Sequence, residues 1–153
     1  MKKKSTAPDT ATLLEFLFRL GQAYIACGEQ TAKVELSLRR SATAFGMRKS
    51  CVVAFPTALF ISIHDEAGER VTLAQCEPQT LRLDQIADVL ALGDAAQKAD
   101  VAPADGLKRL SEILAEQRRF GAAGIVVGHT ILTVGLTMVL MPTAANLAAA
   151  AAL

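Results

Sequence analysis

The chain has 153 residues, of which 52% are hydrophobic, and its 16 Lys and Arg against 15 Asp and Glu leave a formal net charge of +1. That length suits one ordinary domain with a sizeable core. The balanced charge excludes a partner chosen by bulk electrostatics, and with few aromatics beside Arg39, Arg40, Arg48 and Lys49, nucleic acid is not expected as a partner.

Residues 1–10, MKKKSTAPDT, begin like the basic start of a signal peptide. Pro8 and Asp9 follow at once, however, and Glu15 and Arg19 interrupt the apolar stretch from Leu13, so this segment reads as a disordered basic leader. Residues 11–120 then read as one domain. Leu13, Leu14, Phe16, Leu17, Leu20, Ala23 and Tyr24 recur at helical spacing over 11–27, with Glu15 and Arg19 four apart on the exposed face. Gly28 is a helix stop. A second helix is predicted from near Thr31 to Gly46, carrying Val34, Leu36, Leu38, Ala42 and Phe45, with Glu35 and Arg39 as another pair four apart.

The period then changes from helix to strand. Cys51 to Phe55 is a β-branched and aromatic run, Pro56 interrupts it, and Leu59 to Ile63 resumes it. The polar turn His64 to Glu69 leads into an alternating segment, Arg70 to Cys76, around Val71 and Leu73, so a hairpin is expected with its apolar face covered by the flanking helices. Helical pattern returns from Leu83 to Leu92 through Ile86, Ala87, Val89, Leu90 and Ala91. It recurs from Pro103 to Glu116 with Leu107, Leu110, Ile113 and Leu114 as the stripe. The fold class expected for residues 11–120 is α+β, helices packed on a small antiparallel sheet.

From Gly121 to Met141 there are 21 residues without Asp, Glu, Lys or Arg. As a helix they extend about 31 Å, the thickness of a bilayer's hydrocarbon core, so this is read as a transmembrane helix. Arg118 and Arg119 stand just before it and no basic residue follows it, which places residues 1–120 in the cytoplasm. Gly121, Gly124, Gly128 and Gly135 allow close approach of another helix. His129, near the middle of the span, is costly in lipid unless it faces protein, water or a partner. It and Thr133, in a polar edge with Thr130 and Thr137, are candidates for a substrate path. The alternative is that each threonine bonds a preceding backbone carbonyl and His129 bridges helices. Pro142 breaks the helix, and the apolar tail to Leu153 reads as the opening of a second membrane helix over residues 142–153.

Chemistry-bearing motifs are few. Cys27, Cys51 and Cys76 lack ligand spacing and are expected to be buried thiols in a reducing compartment. His64, Asp65 and Glu66 sit in a turn where polar residues are expected anyway, and metal binding there needs ligands from elsewhere, with only Asp9, Glu29, Asp84 and Asp94 to suggest. No nucleophile elbow, phosphate loop, dinucleotide fingerprint or EF-hand pattern is present, so no catalytic residue, metal or cofactor is assigned.

The stretch LGQAYIACGEQTAKVELSLRRSATAFGM (Leu20 to Met47), then VVAFPTALFISIH (Val52 to His64), RVTLAQC, RLDQIADVLAL and LKRLSEIL before a glycine-rich first span, resembles the N-terminal part of the threonine/serine exporter family. The resemblance runs from about Leu13 to the end and is carried locally by Gly28, Thr31, Glu35, Leu38, Gly46, Pro56 and Thr57. It implies a cytosolic domain followed by several spans in the bacterial inner membrane, in one protein or divided between two subunits, and export of small polar amino acids such as threonine and serine. On that reading Glu35, with Thr31 beside it, stabilises a gate or senses a substrate ammonium group. The other role for Glu35 is its surface pair with Arg39. Family members continue through more spans than this sequence holds, so the expected partners are other transmembrane helices, a multi-span partner subunit or further copies of the chain. A membrane-anchored interaction or regulatory domain is the alternative, and a membrane-anchored hydrolase the weaker one.

Overall fold

The computed structural model describes residues 9–65, 68–76, 79–116, 121–140, 143 and 148–150. The described elements are α1 (Thr10–Ala26), α2 (Thr31–Ala44), β1 (Ser50–Phe55), β2 (Ala58–Asp65), β3 (Gly68–Gln75), α3 (Leu83–Gln97), α4 (Pro103–Ala115) and α5 (Ala122–Leu140). They fall into two compact units, residues 1–116 and 117–153. The first is the α+β domain expected, and the second contains the long apolar helix.

Helix α1 begins where Asp9 accepts a hydrogen bond from the Ala11 amide at 3.4 Å and another from the Thr12 hydroxyl at 3.1 Å, satisfying one of the amides that a helix start leaves unpaired. All seven apolar residues expected on its inner face are buried, with Leu13, Phe16, Leu17 and Leu20 fully so. Each such side chain contributes about 1.5–3 kcal/mol on burial, which makes α1 the spine of the core. On α2, Val34, Leu38 and Ala42 are buried, but Leu36 is 49% exposed. Residues two apart lie about 200° apart round a helix, so Leu36 cannot share a face with Val34 and Leu38.

Both helices end in the same way. Gly28 and Gly46 adopt φ of +78° and +92°. The amides of Gly28 and Glu29 bond the carbonyls of Ile25 and Tyr24, and those of Gly46 and Met47 bond Thr43 and Ala42. These are Schellman closures, with glycine at the left-handed position. Helix α3 closes likewise, Ala99 and Asp100 donating to Ala96 and Ala95, but there alanine takes φ +54°. A left-handed alanine costs about 1–2 kcal/mol, while glycine loses more backbone freedom on folding, so Ala99→Gly is expected to stabilise the domain by about 0.5–1 kcal/mol. The measurement is a higher urea midpoint at unchanged m value.

The sheet is antiparallel in the order β1-β2-β3. Phe55 pairs with Ala58, so Pro56 and Thr57 form a two-residue turn and the interruption at Pro56 marks a hairpin corner. One face carries Val52 and Ala54 of β1 with Leu59, Ile61 and Ile63 of β2, all buried against α1 and α2. The covered face is therefore not the one that Val71 and Leu73 suggest. Those residues are 53% and 66% exposed, and the register Val53–Phe60–Leu73 places them on the opposite face, where Phe55 is also exposed. Alternation reveals that a strand has two faces, but the choice of inner face follows the strand with the larger apolar side chains, here β2.

The cysteines divide. Cys76 is buried and Cys27 half-buried, but Cys51 is exposed, because its place in β1 turns it to the outer face. Burial, helped by Glu29, pushes the Cys27 thiol from 9.0 up to about 11. Burial and then the charges of Asp94, Cys27 and Glu29 push the Tyr24 phenol from 10.0 up to about 12. Both folded values lie above the unfolded ones, so the neutral groups contribute stability that is complete below about pH 9 and is lost as pH rises through 11 and 12. Urea midpoints are expected to fall steadily across that window, and Tyr24→Phe to flatten its upper part.

Candidate functional site

Glu35 and Arg39 lie on the part of α2 that meets the edge of the sheet. One carboxylate oxygen of Glu35 accepts a hydrogen bond from the Ala54 amide at 2.9 Å, and the other lies 3.3 Å from the Arg39 guanidinium. Arg39 in turn donates to the Val52 carbonyl at 3.0 Å. The pair thus supplies an acceptor and a donor to alternate residues of β1, as a neighbouring strand would, and occupies an edge that otherwise templates pairing with another chain. Thr31 opens α2 one turn before Glu35 and is half-buried. Pro56 and Thr57 stand at the far end of β1, where the Thr57 carbonyl accepts from the Cys76 amide at 2.7 Å.

A second constellation, of which the sequence singled out only Asp84, holds the last turn of α4. Arg82 donates to the Glu116 carbonyl at 2.7 Å and Gln85 to the Ile113 carbonyl at 2.8 Å, so two side chains from the start of α3 take up carbonyls that the end of α4 leaves open. Gln85 is 5% exposed, and its amide oxygen accepts from the Arg82 amide at 3.1 Å. Asp84 pairs with Arg82 at 3.0 Å, and that guanidinium holds its carboxyl below the usual carboxylate range. The one local signal was a glutamine three residues after the chain enters the helix, the position that reaches back to a cap amide.

Helix α5 contains an 18-residue window, Ala123–Leu140, of mean hydropathy 1.9, and none of that window is buried. Val126, Ile131, Leu132, Leu136 and Val139 are all more than half exposed, an arrangement that water penalises and lipid or neighbouring helices would favour. The hydroxyls of Thr130, Thr133 and Thr137 each donate to the carbonyl four residues back, at 3.0, 2.8 and 2.8 Å, so His129 and Thr133 are linked by the bond from Thr133 to the His129 carbonyl. The threonines therefore bring no unpaired hydroxyl into the apolar face. A Cβ added at Gly121, Gly128 or Gly135 would meet nothing within 4 Å. At roughly 100° per residue, these glycines and Gly124 lie on one face and Thr133, with Thr130 and Thr137, on roughly the opposite one, while His129 sits to the side, about 120° from the glycine stripe. Thr31 and Glu35 belong to the first unit, His129 and Thr133 to the second.

Three of the four acidic residues suggested as metal ligands are otherwise engaged: Asp9 caps α1, Glu29 bonds Lys33 at 2.8 Å and Asp84 pairs with Arg82. His64 is exposed at the end of β2. Among the described residues no group of three or more His, Cys, Asp or Glu is placed to hold a metal ion. Arg118, Arg119 and Pro142 lie outside the described residues, as do most of 142–153, of which residues 148–150 are helical.

Residues 15–153 match the family model described as "Putative threonine/serine exporter". The chain belongs to this family. Searches of curated proteins and of solved structures return no significant match. Family membership and the apolar helix together make this a membrane-associated member of a transporter family, and the match spans both units, from α1 through α5.

Proposed function

We propose that this chain supplies the cytosolic domain and first span of an exporter of small hydrophilic amino acids, threonine and serine being the substrates suggested by the family. The observation that carries the reading is α5, whose glycine stripe and threonine edge lie on roughly opposite faces, with His129 between them. A helix anchoring a domain in lipid needs neither, whereas a helix inside a bundle uses the first for close packing and the second toward a path or another helix. One span cannot enclose a path for a polar solute, so further helices, on the same polypeptide or another, complete it. In this assembly the domain faces the cytoplasm of a bacterial cell, and the role is transport without covalent chemistry.

Efflux of radiolabelled threonine and serine from loaded cells tests the reading. Cells expressing residues 1–153 alone are expected to show background efflux, and cells that also carry a complementary multi-span partner to show export. Full export by the chain alone would contradict the need for further helices. Orientation is read at Cys51, the exposed thiol. A membrane-impermeant maleimide is expected to label it only after the inner membrane is opened, and labelling in intact spheroplasts would reverse the topology.

A second reading, a membrane-anchored interaction domain, draws support from the uncovered sheet face bearing Phe55, Val71 and Leu73. Detergent-solubilised pull-down separates the two. Recovery of a multi-span membrane protein supports the exporter, and recovery of soluble partners alone, with no export in any combination, supports the anchored domain.

A further inference from the structure

The two edges of the sheet differ. At β1 the Ala54 amide and the Val52 carbonyl are taken by Glu35 and Arg39 of α2. The other edge is β3, which packs on β2, whereas α2 packs on β1 and α1 on β2. The Cys76 amide donates to the Thr57 carbonyl. Successive residues of a strand turn their amides and carbonyls to alternate sides, so Arg70, Thr72 and Ala74 bond β2, and the main-chain groups of Glu69, Val71, Leu73 and Gln75 point outward. This strand, GERVTLAQ, has an unbroken register and carries no proline, lysine or bulge, the devices that blunt an open edge.

The outward-pointing positions also carry the exposed apolar side chains of the strand. Val71 and Leu73 are more than half exposed, on the sheet face where Val53 and Phe60 are half-buried. Set against itself in antiparallel fashion about Thr72, the strand pairs over its whole length, Gly68 with Cys76, Glu69 with Gln75, Arg70 with Ala74, and Val71 with Leu73. Outward groups then meet outward groups throughout, and no charge faces a like charge. Moving the axis to Val71 sets Glu69 opposite Leu73, and moving it to Arg70 sets that residue opposite itself. The sequence of β3 therefore selects one register for its own copy. A second copy supplies that match by two-fold symmetry, the same patch on both sides, which a strand of unrelated sequence does not.

We propose that two copies of this domain join edge to edge through β3, about a two-fold axis at Thr72, into one continuous antiparallel sheet. The outward amides and carbonyls of the two strands bond one another, and Val71 of each copy packs beside Leu73 of the other. The axis is normal to the sheet, so the helices of both copies lie on the same side of it and the covered faces stay covered. At the β1 edge Glu35 and Arg39 already fill the same main-chain positions, which restricts this pairing to β3 and ends the assembly at two copies. The contact is made by the first unit and requires nothing of α5 or of the solute carried.

The test is disulfide trapping of the full chain in detergent micelles, in a Cys51→Ser background that removes the exposed thiol. Across the axis Thr72 faces its own counterpart as a non-hydrogen-bonded pair, with Cα atoms about 4.5 Å apart, within reach of a disulfide. Thr72→Cys is expected to give a cross-linked dimer under mild oxidant. Arg70→Cys and Ala74→Cys, each about 14 Å from its own counterpart in this register, are expected not to cross-link. Sedimentation of the uncross-linked chain gives the second readout. Val71→Lys combined with Leu73→Lys sets lysine opposite lysine twice and is expected to weaken the dimer at least about tenfold, whereas Val71→Lys combined with Leu73→Glu sets opposite charges face to face and restores it. Both positions are exposed, so circular dichroism melts of the two double variants are expected to match the wild type. A monomeric wild-type chain, no cross-link at Thr72→Cys, or association unchanged by the two lysines overturns the proposal. None of these readouts depends on export, so the transport reading stands or falls separately.

Discussion

Replacing Gly93 by alanine is expected to destabilise the domain by about 2 kcal/mol, although alanine is the better helix former. Gly93 is buried on α3 against Tyr24 of α1, and a Cβ built there lies 1.6 Å from the Tyr24 hydroxyl oxygen and 2.6 Å from the ring carbon bearing it. The phenol cannot simply swing away, because Tyr24 is buried and its hydroxyl bonds Gln97, one turn after Gly93 on α3. Overpacking of this kind costs up to about 3 kcal/mol, and the helix propensity of alanine over glycine returns about 1 kcal/mol. The two terms separate in a double-mutant cycle. With Tyr24→Ala in the background the clash has no partner, so Gly93→Ala should become stabilising by about 1 kcal/mol. Denaturant unfolding of the four proteins measures it, and an equal loss in both backgrounds would sink the explanation.

Glu35→Ala is expected to cost about 2 kcal/mol and to promote self-association, while Glu35→Gln should cost under about 1 kcal/mol. Alanine leaves the amide of Ala54, itself 6% exposed, without its acceptor and releases Arg39 from the β1 edge. An unsatisfied buried donor costs about 1–3 kcal/mol. Glutamine keeps a carbonyl oxygen for Ala54 and loses only a partly exposed ion pair, worth about 0–1 kcal/mol. The same pair of variants tests the gating role suggested by the family resemblance. If Glu35 holds a substrate ammonium, glutamine abolishes export from a folded protein. If it serves only the sheet edge, glutamine exports normally and alanine fails in proportion to its instability. Thermal melts, size-exclusion profiles and efflux on the same variants distinguish these outcomes.

Much of the fold was legible because it is periodic. The seven inner residues of α1, the stops at Gly28 and Gly46, the break at Pro56 and the 21-residue apolar run before Pro142 all follow from spacing and backbone chemistry. Spacing alone does not say which apolar face the rest of the fold covers. Leu36 does not share the buried face of Val34 and Leu38, and the alternation of Val71 and Leu73 falls on the uncovered face of the sheet, because Leu59, Ile61 and Ile63 occupy the covered one.

The candidate site divides along the same line. Sequence alone determined that Glu35 and Arg39 pair, that His129 and the threonines form a polar edge in an apolar helix, and that glycines mark another face, because each relation is a fixed rotation along one helix. Only the tertiary structure decided that Glu35 also bonds Ala54, 19 residues on, and that Arg82 reaches Glu116, 34 residues on. Such contacts join groups on different elements, and no period in the chain relates them. Their partners are set by how the helices cross the sheet, which depends on the whole core at once.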